Sequence, residues 1–586
     1  MQVQYQYARR SRLTRTTGGQ VLSMAPNLVR DQVAFDAALR EPLTFREAIS
    51  TLHDIVINDL RFKPPDRAAY RNYLARNRQR EVAIRKAASD AHAADVAIRG
   101  EPHTELKRDH AAALKRYWRA RRVMHDRLRR ENLTLWERLM LYDPVCTIAD
   151  DVVMFECFSV DQSAYGCLSV DRESGFDESG GMISGSTSQL GTTNVDYSWD
   201  LYDSFQSLRS YRETRFQIDP TAVAVSTTHS EQEDGTGDDQ NTQMHREEKI
   251  DLPDGWLKGF MQLQAAMTLP TRVVRLSVSS VYSILAFLRR HKARTSPRAI
   301  RFEVGAKGFP RIVLEPWEQV IDESEFKLDS AGGDLSEPIR IWGRRRLLTL
   351  ARVLPIAQRI DVHLLATGLP SFWVVHGRGF RLTLGLSGWT ANDWSAGTAV
   401  DMLMPTTPAD ARGVAKAAET LSQKRAMTRG EIATSIGTDQ ASTLAAMNEL
   451  ALRGQVIHDL DAGIFRWRQI MPMEVSDREI GGPHPERVGC EELIAKRQVD
   501  LQSRQDGPRG GLILTGKVGN QDCEVLIDGD GRIVRGKCRC SWHFKYGIRN
   551  GPCRHLQALR ETAWHPPTGH SNDWWARLRA MGLHVQ

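Results

Sequence analysis

Apolar and polar positions alternate with different periods along this chain, and the changes of period divide it. From Asn27 to Leu60 apolar residues fall at Val33, Phe35, Ala38 and Leu39, then Phe45, Ile49, Leu52, Ile55 and Val56, a spacing that predicts helix. Thr44 with Glu47 reads as a capping box within it. Lys63-Pro64-Pro65 breaks the pattern, and Asp66 is placed to cap a further helix. Another runs from about Glu105 to Tyr142, so 25–143 reads as a helical region whose 66–142 part is a helical hairpin. Its segment LKRYWRARRVMHDRLRR is basic, suited to a solvated face or to tracking a nucleic-acid backbone.

After residue 143 the period shortens. DDVVMFECFSV and AYGCLSVDR are β-branched and aromatic runs bounded by turn residues, and VDYSWDLYD opens as a strand before turning helical near Asp200. Residues 226–248 are polar and acidic without apolar positions, which predicts a disordered linker between two α+β parts, 144–225 and 249–403. In the second part GWLKGFMQLQAAM and SVYSILAFLRRHKA read as helices. RAIRFEVGAKGFPRIVL reads as a hairpin, and IDVHLL, SFWVVHG and RLTLGL as strands. Trp389 and Trp394, in the loop after Gly385, are expected to anchor a turn. Residues 408–468 give three helices, the second opened by Thr428 and Glu431 and the third by Asp439, then two short strands around Asp461-Ala462-Gly463. That order resembles a winged helix. The third helix would be its groove-entering element, with Gln440, Ser442, Thr443, Asn448 and Glu449 exposed and only Arg453 basic. So poor a face for phosphate favours an interaction module or spacer.

Composition bounds these readings. At 586 residues several domains are required, and 41% hydrophobic with 26% charged residues is ordinary for globular protein. No apolar run approaches the roughly 20 residues of a membrane span. The basic N-terminus lacks the apolar stretch of a secretory signal. Cys146, Cys157, Cys167, Cys490 and Cys523 are scattered, as expected of reduced thiols in a cytoplasmic protein without membrane association.

The chemistry concentrates near the C-terminus. CEVLI, the turn Asp528-Gly529-Asp530-Gly531 and RIVRGKC read as a β-hairpin, whose returning strand would carry Cys538 and Cys540 on one face. Twelve residues later Cys553-Arg-His555 opens a helical pattern after Pro552, where the helix dipole favours a thiolate. Three thiolates and one imidazole complete a tetrahedral set for one structural Zn²⁺ and leave no position for an activated water. From Arg535 to Arg560 there are seven cations and no acid. Arg535, Lys537, Arg539, Lys545, Arg549, Arg554 and Arg560, with Trp542 and Tyr546 among them, are the candidate contacts for nucleic acid or another partner. Some of that charge would offset the excess negative charge of three thiolates on one Zn²⁺.

The CxCx12CxH arrangement, with a hairpin before it and a helix after, resembles the SWIM zinc finger (523–560). The whole chain is similar to large bacterial SWIM-containing proteins through DRAAY, YSWDLYD and GLSGWTANDWS. The resemblance implies a module that binds nucleic acid or protein. It also implies MoxR-type AAA ATPase and von Willebrand A partners, which would make the chain an adaptor. No enzyme signature opposes this: Gly511-Leu-Ile-Leu-Thr-Gly516-Lys517 matches the phosphate-loop spacing, but its interior is apolar, Val518 follows and no helix begins there. The expectation is an α+β multidomain, non-enzymatic zinc protein. The alternative is an enzyme with a site in 144–403 that the finger targets.

Overall fold

In the computed structural model the described residues are 2–57, 143–219, 246–386, 409–471 and 485–564, apart from short stretches within them, and scattered helical positions between 108 and 131. The chain forms two compact units, Leu60–Leu141 and the remainder. In the smaller unit the described positions are helical, and Arg116, Arg119, Val123, Met124 and Arg127 among them are exposed. Arg127 pairs with Glu131 one turn on, at 2.9 Å. The proposed start of this hairpin at Asp66 lies outside the described residues.

In the larger unit the N-terminal stretch is not all helix. Phe35–Leu39 is a strand, antiparallel to Thr214–Ile218, which also runs parallel to Gln20–Met24. Phe35, Ala37 and Leu39 are buried with half-buried positions between them, the period of a strand. Five residues fit both periods, and pairing with a segment almost 180 positions away decided between them. Helix α1 is therefore Pro42–Ile57.

Residues 144–225 and 249–403 are one body rather than two. Strands β1 (Val145–Ile148), β2 (Val152–Phe158), β3 (Ala164–Asp171), β4 (Gly191–Asn194), β5 (Arg272–Leu276), β6 (Ala357–Leu364), β7 (Ser371–Gly377) and β8 (Phe380–Leu386) form a single antiparallel sheet. Its order is β5-β6-β7-β8-β3-β2-β1-β4, so β8 from the far side of the proposed linker pairs along its length with β3. Residues 226–245 lie outside the described set, and 246–248 belong to a strand, Arg246–Asp251, paired with Gln2–Tyr7. The acidic stretch is thus an insertion within a folded unit, which costs little because loop-closure entropy grows slowly with length.

Both faces of this sheet are buried, which is why β2 and β7 are almost wholly apolar, the exceptions being Glu156, Ser371 and His376. Val153, Phe155, Trp373 and Val375 face a core shared with α1 and α3 (Val278–Arg290). Val152, Met154, Phe158 and Phe372 face a second core shared with α2 (Trp256–Met267). A side chain at Gly166 of β3 would meet Leu52 Cδ1 of α1 at 2.6 Å, so glycine is what lets the helix lie this close. Phe260 of α2 stacks on Phe158 with ring centroids 5.4 Å apart.

Beyond the sheet come α4 (Ala411–Lys424), α5 (Arg429–Ile436), α6 (Gln440–Leu452), β9 (Val456–Asp459) and β10 (Ile464–Trp467), with Ala426–Thr428 as a third strand beside β10. The capping box at Thr428 and Glu431, the left-handed Gly437 and the Asp439 cap all occur where the sequence places them. This element order carries its own small core of Ala417, Leu421, Ile432, Met447, Leu450 and Phe465.

The C-terminal body begins well before the expected finger. Helix α7 (Pro485–Ala495) precedes four antiparallel strands, β11 (Val499–Asp506), β12 (Leu512–Val518), β13 (Gln521–Ile527) and β14 (Ile533–Lys537). Leu512–Lys517 of the phosphate-loop spacing accordingly lies in a strand, not a loop. Short α8 (Ser541–Tyr546) and then α9 (Arg554–Trp564) follow. The whole is an α+β multidomain chain, and no helix among the described residues is long and apolar enough to cross a membrane.

Candidate metal centre

The hairpin β13–β14 forms because alternate apolar residues, Cys523, Val525 and Ile527, turn inward against α9. Strand β14 ends at Lys537, so Cys538 and Cys540 follow it rather than lie on it. Cys553 stands immediately before α9 and His555 in its first turn. One ligand atom from each of Cys538, Cys540, Cys553 and His555 lies within 4.8 Å of all the others. His555 presents Nδ1 to the cluster, 3.8 Å from Cys538 Sγ. Sulfurs bound at about 2.3 Å to one tetrahedral ion sit somewhat under 4 Å apart, so this donor set needs only a small contraction to hold a cation. Cys553 is buried and the other three are half-buried, a site closed on one side by the core.

Hydrogen bonding within the cluster separates the thiols. Cys538 is driven far below the ordinary thiol range, first by a bond from Cys523 and then by one from Cys553. Those two are pushed up in return by the same bonds to Cys538, and Cys540 is raised by burial. A divalent cation would let all three sulfurs be thiolates at once, displacing protons. The backbone N–H of His543 already points at Cys540 Sγ, 3.4 Å away.

Residues remote in sequence complete the surroundings. Glu486 of α7 accepts the Arg554 backbone N–H at 2.8 Å and holds its guanidinium through Oε1 at 2.8 Å. Arg487 makes the reciprocal pair with Glu561, so α7 and α9 are pinned twice. Lys537 pairs with Glu524 at 2.7 Å. The acid-free run from Arg535 to Arg560 is therefore not acid-free in space: Glu486 and Glu524 neutralise Arg554 and Lys537, and Arg554 is committed to the fold rather than to a partner. Arg560 and Trp542 are half-buried, Trp542 against the core of this body. Arg535 and Arg539 are exposed. The side chains of Lys545 and Tyr546, and all of Arg549, lie outside the described residues. Phe544 of α8, which the sequence interleaves with Trp542 and Tyr546 among these cations as a stacking face, is 92% exposed beside the ligands.

Sequence reasoning also missed Cys523. Glu524 and Lys537 are the last pair of the β13–β14 register, and Cys523 and Cys538 are the residues next to that pair on the two sides. Only the strand alignment, bulged between Leu526 and Ile527, reveals the relation.

The third helix of 408–468 is not available to a groove. Thr443 and Asn448 are buried, and the Asn448 amide donates to Ala265 O at 2.9 Å and Thr268 Oγ1 at 3.0 Å at the end of α2. Leu444 joins the core of the central sheet. A deeper tie is Arg468, whose guanidinium lies 2.7 Å from Glu156 with both side chains fully buried. Tyr165 and Gln264 donate to the same carboxylate at 2.9 and 3.0 Å.

A second donor group, Asp361, His376 and Asp461, lies where β9–β10 meets β6 and β7. Arg275 and Arg359 contact Asp361, and Arg359 and Arg381 contact Asp461. Three guanidiniums already balance two carboxylates, so this group is an ion-pair junction, not a cation site.

No protein-family model matches the chain, and no curated protein matches it. Solved structures include a proliferating cellular nuclear antigen from Entamoeba histolytica, at 10% identity and a TM-score of 0.30, covering 61% of this chain and 99% of that one. A PCNA2–PCNA3 complex from Sulfolobus tokodaii has 10% identity and a TM-score of 0.26, covering 42% and 89%. Likeness of this degree falls short of a shared fold.

Proposed function

We propose that the C-terminal body is a structural zinc module of the SWIM type and that the chain is a non-enzymatic adaptor using it to bind single-stranded nucleic acid. The carrying observation is the convergence of Cys538, Cys540, Cys553 and His555 within 4.8 Å. Soft sulfur donors with one imidazole suit Zn²⁺, and four protein donors fill a tetrahedron, so the ion would hold the hairpin to α9 and perform no chemistry. Exposed Phe544 offers a stacking face, with Arg535 and Arg539 exposed in the same body for phosphate. The 408–468 segment serves as a winged-helix-like spacer, its third helix occupied by α2. An ATPase-linked assembly, through AAA or von Willebrand A proteins, is the competing partner class.

The test combines metal analysis with salt-dependent binding. Purified full-length protein should carry one zinc, lost in Cys553→Ser; a metal-free wild type ends the proposal. Binding to a fluorescent single-stranded oligonucleotide should weaken steeply with salt, and Arg535→Ala with Arg539→Ala should lower the slope by about 1.4. Phe544→Ala should weaken binding by roughly 1–3 kcal/mol at every salt concentration. Salt-insensitive binding or none transfers the role to a protein partner.

A further inference from the structure

We propose that Cys523 is a resolving thiol and that Cys523 and Cys538 form a reversible disulfide when hydroperoxide reaches the centre, opening the metal site. Release of the metal rests on the proposed zinc site, whereas the disulfide rests on the neighbouring places of the two cysteines at the end of the β13–β14 pairing.

Cys523 precedes Glu524 on β13 and Cys538 follows Lys537, the last pair of the β13–β14 register, so the two cysteines stand side by side where the pairing ends. Their side chains are hydrogen-bonded to each other. Both belong to the same core, with Val525, Leu556 and Leu559. Cys523 is 4% exposed while Cys538 is half-buried, so a small oxidant meets Cys538 first. Cys523 stands outside the four-donor group, so a cation held there would not hold its sulfur. That separates it from Cys540 and Cys553, which a bound metal would hold in place.

The chemistry balances with a hydroperoxide as the oxidant. Cys538 sulfur attacks the peroxide oxygen, the O–O bond breaks, and a sulfenic acid and one water form. Cys523 sulfur then attacks the Cys538 sulfur, the S–S bond forms, and the departing hydroxyl leaves as a second water with the Cys523 proton. Two thiols lose two electrons and two protons, and hydrogen peroxide becomes two waters. The cation loses a ligand and is released. A dithiol reductant reverses the step.

Full-length protein loaded with zinc is treated with hydrogen peroxide. Zinc release is read with a chromophoric chelator, and linkages are mapped by mass spectrometry of alkylated peptides. The expected result is a Cys523–Cys538 linked peptide, two thiols lost per zinc released, and restoration of zinc capacity by dithiothreitol. In Cys523→Ala, checked beforehand for wild-type zinc content and circular dichroism, restoration should be lost as Cys538 passes to sulfinic acid. Linkage of Cys538 to Cys540 or Cys553 in the wild type, or equal restoration in the variant, overturns the proposal. Should Cys523→Ala fail to fold, the wild-type linkage map decides alone. Should the protein hold no zinc, the same map still reads the disulfide, so the two readings fail separately.

Discussion

Replacing Glu486 with alanine should weaken metal binding about tenfold although Glu486 touches no ligand. It is 6% exposed on α7, and Oε2 accepts the Arg554 N–H at 2.8 Å. Arg554 is the first residue of α9, between Cys553 and His555, so Glu486 caps the turn that presents half of the donor set. Removing a cap costs about 1 kcal/mol. The ion pair to the Arg554 guanidinium adds only ~0.5 kcal/mol, because that side chain is 39% exposed and solvent screens it. The sum is roughly 1.5 kcal/mol, close to a factor of ten in affinity. That lies at the low end of the effect of groups that orient metal ligands. Glu486→Gln keeps an acceptor for the N–H and should lose less. The assay is competition for Zn²⁺ against a chromophoric chelator at pH 7. Wild-type affinity in Glu486→Ala would refute the reasoning, since the cap would then have no part in presenting the ligands.

Two further predictions concern the central body. Glu156→Gln leaves the Arg468 charge fully buried and should cost roughly 3–5 kcal/mol, whereas Glu156→Leu with Arg468→Met removes both charges and should recover most of it; the midpoint of urea unfolding reads both, and equal losses would contradict the account. Asp54 of α1 is raised from the usual carboxylate range to about 6 by burial. The folded state therefore favours its protonated form, and that contribution, present below pH 3.8, is lost as pH rises through 6. Asp54→Asn should match wild type near pH 4 and exceed it above pH 6 by at most about 3 kcal/mol, seen as a pH-dependent gap in melting temperature. A gap independent of pH would rule this out.

Local signals in the sequence were accurate at several places where the cause is local, though not at Thr44 and Glu47, read as a capping box but lying inside α1, which begins at Pro42. The caps at Thr428 and Asp439, the stop at Gly437 and the paired CxC and CxH are set by neighbours a few residues apart. So is the apolar run of β2, whose lack of alternation signals burial on two faces. Phe35–Leu39 was illegible because five residues satisfy both periods until Thr214–Ile218 pairs with them. The insertion at 226–245 looked like a domain boundary because composition reports solvation, not whether β3 and β8 meet across it.

The site divides the same way. The amino-acid sequence by itself determined the four donors, since ligand chemistry and spacing are properties of adjacent residues. Only the tertiary structure decided their setting. Strand pairing brought Cys523 beside Cys538 at the end of the β13–β14 ladder, and helix packing brought Glu486 to Arg554 across 68 positions. The burial of Thr443 and the docking of Asn448 on the end of α2 likewise closed a face that helical periodicity left open. Charge and burial depend on distance in space, and a one-dimensional pattern records distance only along the chain.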